Sequence, residues 1–332
     1  MKKLFTALIL IGFVTLAAIF YLRKGGSSAG EHASAPTKVD KVSVRMKWFF
    51  AGTMTGWFSG VGEGIFGDNG IALSISPGGP DNSSIKLVAA GTDSFGVAGA
   101  DEVLLARAKG IPIVAIGVLF KESPICFVSK REKHITSPSD WTGKTVEVSY
   151  GDNSEIQFRA LLAKYNVKNV KEVPYTFNLL PLIEDKVDVS VAYKMDQVIT
   201  LQNQGIALDV ISAKDHGINP YADVVITTEK ILKENPELVR RFMRATVRSF
   251  QWAIDNQPTA VNHLIQAAPN LKRENEAKVW SATIPFLTAD GGTSALGSME
   301  RARWEETQRI LIEFKALAQP VDLSKAFVDI LH

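Results

Sequence analysis

The sequence predicts an α/β protein of two similar lobes with a helical C-terminal part, and three observations carry that reading. Short β-branched or apolar runs alternate with amphipathic stretches twice along the chain, first between Val42 and Phe120 and again between Cys126 and Thr227. Such alternation is what strands and helices layered on a largely parallel sheet require. From Thr228 onward the strand-like runs stop and the pattern is almost wholly helical. Between the elements lie loops of small and aromatic residues just past strand ends, where open α/β sheets tend to hold ligands.

The chain has 332 residues, 46% hydrophobic and 22% charged, which is ordinary globular composition and excludes disorder for most of it. Residues 1–24 stand apart. Met1, Lys2 and Lys3 precede an uncharged, largely apolar run from Leu4 to Leu22 that Arg23 and Lys24 close. The run is nearer the roughly 20 residues that cross a bilayer than the roughly 7–15 of a cleaved signal, so an uncleaved membrane anchor is expected over a signal peptide. Either way the body faces the extracytoplasmic side, tethered by a flexible linker at 25–40 rich in Gly, Ser and Ala. Cys126 is the only cysteine, so neither a lipid-bearing cysteine near the N-terminus nor an intrachain disulfide is available. Residues 1–47 carry eight Lys/Arg against Glu31 and Asp40, a balance of +6; the formal total of +2 therefore leaves −4 for residues 48–332. A mildly acidic body argues against nucleic acid as a partner.

Taken in order, strands are expected at Val42–Lys47 and Ile71–Ile75, with Trp48–Phe66 between them as a loop entering a helix. A turn at Pro77–Asp81, a helix at Ser84–Ala90, a strand at Ser94–Val97, a helix at Asp101–Lys109 and a long apolar strand at Ile111–Phe120 complete the first unit. The second opens with a strand at Cys126–Ser129 and a helix start at Ser137–Trp141, where Ser137 and Asp140 have capping-box spacing. Strands near Thr145–Ser149, Val173, Val187–Ala192, Leu208–Ser212 and Val224–Thr227 follow, with helices at Ile156–Lys164, Leu179–Asp185 and Met195–Gln202. Long amphipathic helices at Glu237–Asn256, Thr259–Ala268, Asn275–Ile284 and Glu300–Leu317 need a sheet to pack on, with Trp252, Trp280 and Trp304 as core aromatics. Lobe I is expected from 41–125 together with 226–332, and lobe II from 126–225.

Catalytic and metal signatures are missing from the sequence. The five histidines, His32, His134, His216, His263 and His332, are too far apart for a metal cluster. Cys126 sits in an apolar strand, as an inert buried thiol would. There is no G-x-S-x-G nucleophile elbow and no phosphate-cradling G-x-x-x-x-G-K-[ST] loop. No cofactor is expected, and two α/β units without catalytic clusters point to capture of a small molecule between lobes.

Three loops fall at the cleft. The first supplies Trp48, Thr53 and Trp57, two indoles flanking small residues and able to stack a flat ring. The second supplies Gly99 and Asp101 ahead of a helix, and the third Gly151, Asn153 and Ser154 ahead of another, each with carboxylates beside it. Acidic residues are also ordinary first-turn helix residues; facing a cleft, they disfavour nitrate or sulfonate and favour a neutral or amino-bearing ligand. Tyr193 with Asp196, and Tyr221 with Asp223, are further candidates at strand ends.

Several motifs in order carry a family resemblance: Trp48–Phe49 with Gly56–Trp57–Phe58, Gly64–Ile65–Phe66, Pro77–Gly78–Gly79–Pro80, Phe95–Gly96–Val97, the run Leu105 to Pro112, Ile135 to Lys144, and Lys186–Val187–Asp188. From about Val42 to the C-terminus the chain resembles ABC-importer periplasmic substrate-binding proteins of the thiamine-pyrimidine-precursor family, which also embraces nitrate, taurine and alkanesulfonate binders. The resemblance implies a two-lobed type II periplasmic-binding fold that closes on ligand and delivers it to an ABC permease and ATPase complex. It matches the family's first tryptophan to Trp48, its Gly-aromatic pair to Gly56–Trp57, and its second-lobe loop to Gly151–Glu155. Relatives that bind the pyrimidine have a Pro/Gln-rich loop where this chain has Phe50–Thr53, so ligand identity does not carry over. Related enzymes have a cysteine-rich motif and an active-site histidine that this chain lacks, which speaks against an exported pyrimidine-chemistry enzyme.

Overall fold

The computed structural model describes residues 39–331, so the anchor and most of the linker read at the N-terminus lie outside the described residues. Among the described residues no helix is long and apolar enough to cross a membrane.

The first lobe is built on a five-stranded sheet of order β2-β1-β3-β10-β4. Strand β1 is Asp40–Arg45 and leads through helix α1, Thr55–Gly62, to β2, Ile71–Ser76. Helix α2, Ser84–Ala89, β3, Phe95–Ala98, helix α3, Ala100–Ala108, and β4, Ile113–Phe120, follow. Every residue of β4 is buried, as expected of an apolar strand covered on both faces.

The second lobe holds a three-stranded sheet of order β8-β5-β9 and a two-stranded one of β6 and β7. Its elements are β5, Ile125–Lys130, β6, Thr145–Val148, helix α4, Asn153–Lys164, β7, Lys171–Pro174, β8, Ser190–Tyr193, helix α5, Gln197–Asn203, and β9, Leu208–Ser212. Phe127, Trp141 and Phe158 pack ring against ring at its centre, with centroids 5.1–5.7 Å apart. Ser137 and Asp140 do form a capping box, but the helix expected there is a single 3-10 turn, Pro138–Trp141, ended as the chain turns into β6.

The sheets depart from the largely parallel arrangement expected. Strand β1 is parallel to β2 and β3, whereas β10, Asp223–Thr228, lies antiparallel between β3 and β4. It re-enters the first sheet on the chain's way back from the second lobe, so its direction is reversed. In the second lobe β5 is antiparallel to β8 and β9, and only β6 and β7 are parallel.

Four long helices close the first lobe: α6, Pro236–Asp255, α7, Gln257–Ala267, α8, Arg273–Thr288, and α9, Arg301–Glu313. Helix α6 buries Val239, Phe242, Met243 and Phe250 at helical spacing. Trp280 and Trp304 are fully buried and Trp252 is partly so. Helix α1 lies tightly on α6, because a Cβ at Gly56 would come within 2.5 Å of the Phe250 ring and one at Gly60 would strike Ser249.

The chain passes from the first sheet to the second at 121–124, between β4 and β5, and returns at 213–222, between β9 and β10. One side chain ties the two crossings: Arg303, on α9, donates to the carbonyl of Lys121 at 2.7 Å and to that of Asn219 at 2.9 Å. Its guanidinium also lies over the Tyr221 ring, 5.0 Å from the centroid. The crossings meet directly as well, through the Ser123 N–H and the Asn219 Oδ1 at 2.8 Å.

Candidate functional site

A cavity of about 1170 Å³, counting its open mouth, lies where the two lobes face each other. One wall comes from the first lobe. Strand β1 ends at Arg45, and the chain then presents Lys47, Trp48 and Phe49 to the cavity, followed by Thr53 and Met54 at the approach to α1. The opposite wall is Ser149–Ser154 at the start of α4, with Tyr175 and Phe177 after β7, Tyr193 at the end of β8, and Asp196 and Gln197 at the start of α5.

The mouth is aromatic. The Trp48 ring lies 5.4 Å from that of Phe49 and 5.6 Å from that of Phe177, which in turn is 5.4 Å from Tyr175. Phe177 reaches across with a φ of 60°, a left-handed conformation that is unfavourable for a bulky residue and is retained where surrounding contacts fix it.

The floor is acidic. Glu102, Asp152, Asp196 and Asp223 line it, and Lys47 is the only Lys or Arg among the lining residues. The Lys47 ammonium sits 3.5 Å from the Glu102 carboxylate and 3.4 Å from the carbonyl of Ala222. Burial works against its charge, but Tyr193 and the carboxylates of Glu102, Asp223 and Asp101 together hold its pKa well above the usual lysine value. Burial pushes the Asp223 carboxyl up to about 6 despite Lys47. It pushes Asp196 up to about 7, helped by Glu276. The phenols of Tyr175 and Tyr193 are raised by burial and stay protonated.

The helix ends beside the cavity are occupied from within. Asp152 Oδ1 accepts from the N–H groups of Ser154 and Glu155, and Glu155 accepts from Gly151 N–H at 2.9 Å. At α3, Glu102 turns back to accept the Gly99 N–H at 2.6 Å. Two buried polar atoms of the lining have no hydrogen-bond partner among the described residues: Asn153 Nδ2, on a residue only 2% exposed, and Asp223 Oδ1.

Seven of the residues singled out in the sequence, Trp48, Thr53, Gly151, Asn153, Ser154, Tyr193 and Asp196, lie on the cavity wall. Four do not. Trp57 is 2% exposed and belongs to the core of the first lobe, its ring parallel to that of Phe66 and edge-on to Phe250. Helix α1 turns that face toward α6, and the small residues around it serve helix packing. Tyr221, also 2% exposed, packs between Trp304 and Arg303, and its hydroxyl accepts the Glu300 N–H; its companion Asp223 faces the cavity instead. Asp101 is 1% exposed, with a pKa raised to about 8 by burial and by Glu102, and it lies behind Glu102 rather than in the lining. Gly99 is likewise set back, since a Cβ there would meet the side chains of Asp101, Glu102 and Asn153.

Lys47, Phe177 and Tyr175 are lining residues that sequence reasoning passed over, whereas Glu102 is one of the loop carboxylates it placed at the cleft. Lys47 carried a usable signal, a charge at the end of a strand directly before the aromatic loop. Tyr175 and Phe177 carried a weaker one, two aromatics in an otherwise polar loop. Cys126 lies within β5, where burial raises its thiol to about 12 and keeps it unreactive. Among the described residues no group of three or more His, Cys, Asp or Glu is placed to hold a metal ion.

Two lobes around a cleft, joined by two crossings and closed by C-terminal helices, define a periplasmic-binding fold. The alkanesulfonate-binding protein SsuA of Xanthomonas axonopodis pv. citri, solved with MOPS bound, superposes with a TM-score of 0.69 at 12% identity, covering 87% of this chain and 98% of that one. Within that fold the chain belongs to the NMT1/THI5-like family, whose model matches residues 52–260. It is similar to the riboflavin-binding protein RibY of Chloroflexus aurantiacus, 29% identical over 71% of this chain and 69% of the relative. It is 24% identical to the formylaminopyrimidine-binding protein of Halalkalibacterium halodurans, over 95% of this chain and 97% of that protein. It is equally, at 24%, identical to the 4-amino-5-hydroxymethyl-2-methylpyrimidine phosphate synthase of Legionella pneumophila, over 87% of this chain and 91% of the relative. Proteins named for binding and a protein named as a synthase thus stand side by side among the relatives.

Proposed function

We propose that the chain is the extracytoplasmic solute-binding component of an ABC importer, held at the membrane by its N-terminal segment, and that its lobes close over a flat heteroaromatic molecule. The observation that carries this is the position of Trp48 and Phe177, rings from opposite lobes that meet at the mouth of the cavity above a carboxylate-lined floor. Such walls suit a planar ring with polar edges, by stacking at its faces and hydrogen bonds at its rim. The relatives named for riboflavin and for formylaminopyrimidine support the same ligand class. A ligand that bridges both lobes favours the closed arrangement by its differential affinity for it.

The relative named as a synthase makes an enzyme the competing reading. Among the described residues the lining contains neither cysteine nor histidine, which supports binding over turnover. A thermal-shift screen with riboflavin, formylaminopyrimidine, taurine and nitrate tests the proposal, because a true ligand raises the melting temperature by mass action. Stabilisation by a heteroaromatic recovered chemically intact is the expected result. Stabilisation by taurine or nitrate alone, or conversion of the heteroaromatic, would overturn it.

A further inference from the structure

The charge chemistry of the cavity narrows the ligand beyond its shape, an inference that rests on the heteroaromatic reading above. Sites for sulfonates, nitrates or phosphate esters need uncommitted positive charge or free backbone N–H groups at a helix start. In this cavity the lysine and several of the helix-start N–H groups are already engaged. Its one ammonium, Lys47, is engaged by Glu102 at 3.5 Å. At α4 the Ser154 and Glu155 N–H groups are taken by Asp152, and the Gly99 N–H ahead of α3 is taken by Glu102. An anionic substituent would therefore approach four carboxyl groups, Glu102, Asp152, Asp196 and Asp223, with nothing left to neutralise it.

The two unpartnered atoms show what would be accepted in its place. Asp223 Oδ1 can only accept while the carboxylate is ionised, and Asn153 Nδ2 can only donate. They come from different lobes, one at the start of β10 and the other at the start of α4. A ring edge carrying an N–H or amino group together with a ring nitrogen or carbonyl would satisfy both. Leaving such buried groups unmet is unfavourable, so a molecule lacking that edge is penalised.

We propose that the cavity takes its ligand as an uncharged or cationic N–H-bearing heterocycle, read by Asn153 and Asp223, and rejects anionic derivatives of the same ring, phosphate esters included. The two self-capped helix starts and the acidic floor are the discriminating elements.

Matched pairs test this by isothermal titration on the full chain: riboflavin against riboflavin 5′-phosphate, and 4-amino-5-hydroxymethyl-2-methylpyrimidine against its phosphate. The expected result is binding of at least one unesterified compound and a loss of tenfold or more for its ester. Asp152→Asn, which keeps the oxygen that caps α4 but removes its charge, should narrow that gap, and Glu102→Gln, which frees Lys47, should narrow it further. Circular dichroism melts of both variants check that they remain folded. An ester that binds as tightly as its parent overturns the charge inference and leaves the heteroaromatic reading standing. Binding of neither member of either pair, with taurine or nitrate bound instead, removes that reading and this inference together. Equal gaps in the wild-type chain and in both folded variants would also overturn the assignment to Asp152 and Glu102.

Discussion

Trp48 and Phe177 face each other across the cleft with ring centroids 5.6 Å apart and planes at 46°. Each has a second aromatic neighbour on its own lobe, Phe49 for Trp48 and Tyr175 for Phe177, so four rings run unbroken from one lobe to the other. The lobes therefore touch through side chains whose faces are also the surfaces a planar ligand would meet.

Trp48→Ala and Phe177→Ala should each weaken ligand binding about tenfold or more. Because the rings contact each other, the double substitution should cost less than the sum, with a coupling of about 0.5–1.5 kcal/mol. Titration of the two single variants and the double variant checks both statements.

Trp57→Ala should do the opposite. Removing a ring enclosed by Phe66, Phe242 and Phe250 is expected to lower stability by about 3–5 kcal/mol, the range for large-to-small changes at buried aromatics. The affinity of the molecules that stay folded should be unchanged. Urea melts paired with titration below the transition separate the two effects.

The contrast between these tryptophans shows what the sequence could convey. Both follow a strand and sit among small residues, and composition alone does not say toward which neighbour a side chain points. Gly56 and Gly60 are spaced by one helical turn and lie where α1 meets α6, so Gly56, one of the small residues between the two indoles, makes room for a helix. Alternation of strands and helices is a local pattern, and it was legible; the strand read at Leu208–Ser212 has those bounds. The direction of β10 was not legible, because it depends on β3 and β4, more than a hundred residues earlier in the chain. The acidic floor was half visible: Asp101 and Glu102 are adjacent in sequence, but only the fold puts one on the cavity and the other behind it.

Stability of the ligand-free chain should fall as pH rises from about 5 to 8. Asp223, Asp196 and Asp101 have folded pKa values of about 6, 7 and 8, raised in each case chiefly by burial, against an ordinary carboxyl near 3.8. In that window the folded chain holds more protons than the unfolded one, so each group's contribution is complete at acid pH and is lost as pH passes its folded pKa. Urea denaturation across the window measures the slope, and Asp196→Asn should flatten the part of it between about pH 5 and 7.

Arg303→Ala should destabilise the chain by about 3 kcal/mol or somewhat more, since it removes two charge-assisted hydrogen bonds worth about 1.5–3 kcal/mol each and leaves the carbonyls of Lys121 and Asn219 with one partner fewer. Arg303→Lys keeps the charge but not the planar fork, and it should recover only part of the loss. Because the guanidinium joins both crossings, ligand dissociation should be faster in both variants, as stopped-flow displacement would show.

The placement of β10 bears on the order of assembly. Strands β3 and β4 are neighbours in sequence yet do not pair; the gap between them is filled by residues 223–228, which follow the whole second lobe. While the chain emerges from its N-terminus, the first sheet, whose β1 leads to Trp48, lacks the strand that joins β3 to β4. The segment from 125 to 212 contains all the strands of its own two sheets and can pair them first. The ligand wall that comes earliest in the sequence is thus the later of the two to be completed.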